Sequence, residues 1–169
     1  MMENVVILSD LIRAVKVYLY YLFDEFSFTQ IHAETYPQDY HNSLVVLQSH
    51  QCRARILLEK GQVSIEFGSL DSPINWSVHA PDQWFDVSDI IGYLNQRSLQ
   101  PEIELINRIP DLSFVEQLRI LSISLHSHIV DIVHIFTTEM FATEQSYLMG
   151  FRRKRTNQWL ESLYQQRKP

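Results

Sequence analysis

Cysteine is almost missing from this chain. Cys52 is the single one, so no intramolecular disulfide can form, which fits a reducing cytosol. Glycine is nearly as scarce. Four glycines leave no material for a phosphate-cradling loop or a dinucleotide fingerprint, and no G-x-S-x-G elbow marks a hydrolase nucleophile. Long apolar runs are also missing. VKVYLYYLF is shorter than the ~20 residues of a spanning helix. ILSISLHSHIVDIVHIF is interrupted by His126, His128, Asp131 and His134. Both segments read as core helices. No signal peptide is read at the start, and a cytoplasmic location is expected.

Basic residues are few until the end of the chain. Residues 1–150 hold 8 Lys/Arg against 19 Asp/Glu, a balance of −11, whereas residues 151–169 hold 6 against 1, a balance of +5. An acidic body with a basic tail is a poor general nucleic-acid binder, because phosphate attraction needs a basic footprint. It suits a basic protein partner better. At 169 residues the chain fits one domain with its own core. The boundaries expected are residues 1–150 for an α+β domain and 151–169 for a basic amphipathic helix docked on it.

What is present has clear periodicity. From Val5 to Phe26, apolar residues at 8, 11, 12, 15, 19, 22, 23 and 26 predict one amphipathic helix. The period is lost in IHAETYPQDYHN, which reads as a loop. NSLVVLQSHQCRARILLEKGQVSIEFGS carries the β signal. A two-residue turn at Lys60-Gly61 would pair Glu59 with Gln62, Leu58 with Val63, Ile56 with Ile65, Arg55 with Glu66 and Ala54 with Phe67. That register puts Ala54, Ile56, Leu58, Val63, Ile65 and Phe67 on one face, and LVVLQS reads as a third strand. INWSVH is a candidate fourth.

Asp86, with Asp89 three residues on, predicts the start of a short helix that buries Ile90, Ile91 and Leu94 and is weakened by Gly92. SLQPEIELINRIPD reads as a brief helix or turn between prolines. Ser113 and Glu116 form a capping box. Behind it, apolar rows at 114, 118, 121, 125, 132 and 135 and at 115, 129, 133, 136 and 140 predict one long central helix. Gly150 reads as its break. Phe151, Trp159, Leu160, Leu163 and Tyr164 then form the stripe of a last, basic helix. The expected fold is α+β: three to four antiparallel strands against an N-terminal and a long central helix.

Several groups bear on function. His128, Asp131 and His134 are spaced by three, so on a helix they spiral along one flank; metal sites on one helix favour an i,i+4 pair. They read as the polar edge of a core helix, with a metal-dependent enzyme as the rival. His32, Glu34, Asp39 and His41 could surround a cation but read as a solvated loop. No cofactor is expected. Trp76 and Trp84 among Asp82, Asp86 and Asp89 suit an interface receiving Lys or Arg from a partner. Arg152, Arg153, Lys154 and Arg155 could meet nucleic acid or an anionic membrane surface, but docking on the acidic body is the favoured reading. A homo-oligomer is a further alternative.

Ser49, the strand through Arg55 and Ile56, Lys60-Gly61-Gln62-Val63, Trp84-Phe85 and the helix start Asp89-Ile90-Ile91 resemble small bacterial proteins of the toxin-immunity kind. The likeness covers about the middle third of the chain. It implies a non-catalytic cytosolic protein that blocks a basic toxin or effector by occluding it, and it carries over no functional residue.

Overall fold

The computed structural model describes residues 8–36, 42–75, 82–97 and 112–166. Two short helices, α1 (Leu8–Tyr18) and α2 (Tyr20–Asp24), replace the single N-terminal helix expected from periodicity. Leu19 breaks the helical backbone between them yet is fully buried, so the apolar period runs on across the break. Five strands follow: β1 (Thr29–Thr35), β2 (Ser43–Gln48), β3 (Arg53–Glu59), β4 (Gln62–Gly68) and β5 (Trp84–Asp86). They pair in chain order as one antiparallel meander.

The sheet is α+β in class as expected, but larger. Strand β1 lies in part of the segment read as a loop. It is an edge strand rich in polar residues, and its register shifts between Gln30 and His32, which breaks the two-residue alternation that would have revealed it. The proposed INWSVH strand is not seen at Ile74 and Asn75, which lie in bends, and its remaining residues fall outside the described ones, as does SLQPEIELINRIPD.

The β3/β4 hairpin has the register read from sequence, from Glu59 with Gln62 to Ala54 with Phe67. Its turn places Lys60 and Gly61 at φ of 48° and 79°, the left-handed pair that matches the twist of the flanking strands. The Asn42 side chain accepts from the Lys60 backbone N–H at 2.9 Å and steadies the non-glycine member. One sheet face then carries Val45, Leu47, Ala54, Ile56, Leu58, Ile65, Phe67 and Phe85 into the main core. The opposite face holds a smaller cluster of Leu44, Val46, Leu57 and Trp84. Strand β2 is therefore buried on both sides, which explains its unbroken LVVL run.

Helix α3 (Val87–Arg97) leads out of β5. The Ser113–Glu116 capping box starts α4 (Phe114–His126), but the expected central helix is broken. It bends by 76° into α5 (Ile129–Ile135). The Ser127 hydroxyl donates to the Ile123 carbonyl at 3.2 Å, and the His128 Nδ1 lies 2.9 Å from the Ser124 carbonyl. These side chains satisfy carbonyls at the helix end, so the backbone can turn there. Because Leu125, Ile129, Ile132 and Ile135 all stay buried, the apolar rows survive the bend. No single described helix is long and apolar enough to cross a membrane; α4 and α5 together pass that test by length and composition only.

Helix α6 (Thr138–Gln166) runs unbroken through Gly150, the position expected to end it. A Cβ on Gly150 would meet nothing within 4 Å, and one glycine costs a helix only about 1 kcal/mol. Gly92 in α3 differs: a Cβ there would come within 2.8 Å of the Phe151 ring, so its absence lets α3 and α6 approach closely. Gly150→Ala should therefore stabilise the protein by about 0.5–1 kcal/mol, while Gly92→Ala should destabilise it despite the same gain in helix propensity. Urea unfolding midpoints check both; a rise for Gly92→Ala would mean that the Phe151 ring yields freely.

Candidate functional site

The acidic tryptophan segment and the basic cluster, read from sequence as separate surfaces, meet each other. Asp86 ends β5 and caps α3: its carboxylate accepts from the Ser88 backbone N–H at 2.7 Å and from the Ser88 hydroxyl. One turn on, Asp89 receives Arg155 at 2.9 Å and Arg152 at 3.5 Å. Arg152 also donates to the Trp84 carbonyl at 2.6 Å, and its guanidinium lies 4.5 Å from the Phe85 ring centroid. The arginines expected from a partner are supplied by α6 of the same chain.

Trp84 does not serve as an exposed anchor. It is only 2% exposed, donates its indole N–H to the Pro73 carbonyl at 3.2 Å, and lies under the Arg55 guanidinium at 4.6 Å. Arg55 in turn pairs with Glu66, the cross-strand contact anticipated from the hairpin register. The alternation of inward and outward residues in β5 accounts for this: Phe85 enters the main core, so Trp84 must enter the smaller cluster behind the sheet. Asp82 is exposed, and its carbonyl accepts from Gln145 at 2.8 Å. Trp76 lies outside the described residues.

Arg55 thus pairs with Glu66, and Arg152 and Arg155 with Asp89, while Asp86 between them is held by Ser88. Burial pushes the Glu66 carboxyl above its usual range, against the pull of Arg55. Burial also raises Asp86, against its bonds from Ser88. Glu66 and Asp86 are directly opposed across β4 and β5, so the two like charges add to the strain. The cluster fastens α6 to the start of α3; its charges are committed to one another.

The histidines are dispersed. His126 stacks on Tyr21 with ring centroids 4.2 Å apart and lies 3.9 Å from Glu25. His128 turns to the Ser124 carbonyl, whereas Asp131 and His134 are exposed on α5 beyond the bend. His32 approaches Glu34 at 3.5 Å; Asp39 and His41 lie outside the described residues. Among the described residues, no three His, Cys, Asp or Glu side chains gather as a metal ion would require. The Cys52 thiol is buried and its pKa is pushed up to about 12, so it is protonated rather than nucleophilic.

Sequence reasoning missed the division of α6 into two parts. Up to Arg155 the helix docks: Leu148 and Phe151 are buried, Phe151 meets Tyr93, and the Tyr93 hydroxyl donates to Glu144 at 2.5 Å. Arg153 and Lys154 stay exposed. From Thr156 the helix is an arm whose described side chains are exposed, save the partly covered Leu163. At 100° per residue, Leu160 and Tyr164 point roughly 150° or more away from the side bearing Leu148, Phe151 and Arg155. The single docking stripe expected over 151–164 is two stripes.

Raised carboxyls fix a sign for pH. The folded protein holds protons on Glu66 and Asp86 more tightly than the unfolded chain does. Stability present below the ordinary carboxylate range is therefore lost as pH rises through the raised folded values. Asp86→Asn keeps a capping side chain and should flatten this loss in denaturant titrations at a series of pH values; an unchanged slope would remove Asp86 as its source. Trp84→Ala should cost about 3–5 kcal/mol, as for a large core residue, visible as a lowered unfolding midpoint.

In comparison with known proteins, the chain matches no family model, no curated protein and no solved structure.

Proposed function

We propose that the chain is a non-catalytic protein-binding module whose contact element is the C-terminal arm of α6. The observation that carries this is exposure: Trp159 is 60%, Leu160 39% and Tyr164 69% exposed, on a helix whose root is clamped by Asp89. Leu160 and Tyr164 share one side of the arm, and Trp159, about 100° or more round, continues the side of Phe151 and Arg155. Exposed apolar side chains thus encircle this short stretch as a plug that a partner would enclose. Tryptophan and tyrosine also supply large contact area with few rotors to immobilise, which makes them common anchors.

The finer reading, immunity-like neutralisation of a basic effector, keeps the support of charge. Residues 1–150 carry −11, enough to steer a basic protein toward the body. Its proposed anchors change, because Trp84 is enclosed and Asp89 is paired within the chain. Nucleic-acid or membrane attachment through the basic cluster loses Arg152 and Arg155 to that pairing and is left with Arg153 and Lys154.

Trp159→Ala/Tyr164→Ala tests the proposal, since both positions are exposed and the fold should be untouched. Wild type immobilised in a lysate of its source should retain a protein that the double variant releases, with identical circular dichroism and melting. The same proteins on both columns would remove the arm from function.

A further inference from the structure

The tail is basic, the body acidic, and the arm points away from its own body. We infer that the arm is received by a second copy of this chain, along the seam between α1–α2 and α4; this rests on the arm being a binding element. The seam is defined by the Tyr21 hydroxyl donating to the Ser122 carbonyl at 3.0 Å, the Ser122 hydroxyl donating to the Tyr18 carbonyl at 2.5 Å, and Tyr21 stacking on His126. Bordering it are Val17, Tyr20 and Ile123, each more than half exposed, an apolar rim left uncovered on the described surface.

The order of charges along the two elements is complementary. The exposed side chains of the first helices are basic at Arg13 and Lys16 and acidic at Asp24 and Glu25. On α6, Arg153 and Lys154 are basic and Glu161 is acidic. Eight residues separate Arg153 from Glu161, about 12 Å along α6, and eight separate Lys16 from Asp24 across the break at Leu19. Laid antiparallel, Arg153 falls at Asp24, Glu161 at Lys16, Leu160 at Val17 and Tyr164 at Arg13. Arg153, Leu160 and Tyr164 lie within about 40° of one another around α6, on the side facing away from their own body. Each contact is therefore an ion pair, an apolar pair or a cation over an aromatic ring. Applied by both copies at once, the exchange closes as a two-fold dimer.

Sedimentation equilibrium of the whole chain should show a dimer that weakens as salt rises. Asp24→Lys and Arg153→Glu should each weaken it about tenfold, and the two combined in one chain should restore it to within about threefold. Register is read by disulfide trapping, for which the buried Cys52 leaves a silent background. Leu160→Cys chains mixed with Val17→Cys chains should cross-link faster than either alone. A monomer at every concentration and salt, absence of rescue in the paired reversal, or fastest cross-linking of Leu160→Cys with itself would each overturn the inference, the last in favour of arm against arm. A monomer whose Trp159→Ala/Tyr164→Ala variant still loses a captured protein would overturn only the second copy and leave the arm's binding role standing.

Discussion

The Lys60-Gly61 turn sets the molecule's frame. Two left-handed residues leave the β3/β4 hairpin one register, and a slip by one residue would exchange its two faces. With that register, Ile56, Leu58, Ile65 and Phe67 support the helices, while Arg55 and Glu66 are consigned to the other side of the sheet. Pairing of β5 with Glu66, Phe67 and Gly68 then decides which way Trp84 and Phe85 face. The α6 clasp follows, because Arg152 reaches both the Trp84 carbonyl and the Phe85 ring.

Charge is distributed between segments, and part of it is settled within the fold. Arg55 answers Glu66, and Arg152 and Arg155 answer Asp89, in a region partly withdrawn from solvent. Such a network need not add net stability, since removing ions from water offsets much of their attraction. Its stronger effect is on arrangement. The placement of α6 puts two guanidiniums on Asp89 and seats Phe151 beside Gly92 at the same time.

Legibility in the sequence followed the range of the forces involved. The hairpin was readable residue by residue because turn, alternation and cross-strand charge are all local. So were the Ser113–Glu116 capping box and the Asp86 cap. Strand β1 was hidden by its bulge and its edge position, and the breaks at Leu19 and His128 by apolar rows that continue across them. At the site, Trp84 and Trp159 exchanged expected places. A tryptophan beside aspartates looks like a surface anchor, and a tryptophan in an amphipathic repeat looks docked. What separates them is the long-range pairing of β5 and the direction in which α6 leaves the body, neither of which is encoded by neighbouring residues.

The continuity of α6 through Gly150 has a mechanical consequence. A rigid rod joins the clasp at Asp89 to the tip of the helix, with about 16 Å of helix between Arg155 and Gln166. A tilt of about 10° at the root would swing the tip by about 3 Å, on the scale of one side-chain contact. The two arginines on Asp89 are thus the fulcrum of a lever, and whatever loosens or tightens their grip is amplified at the far end.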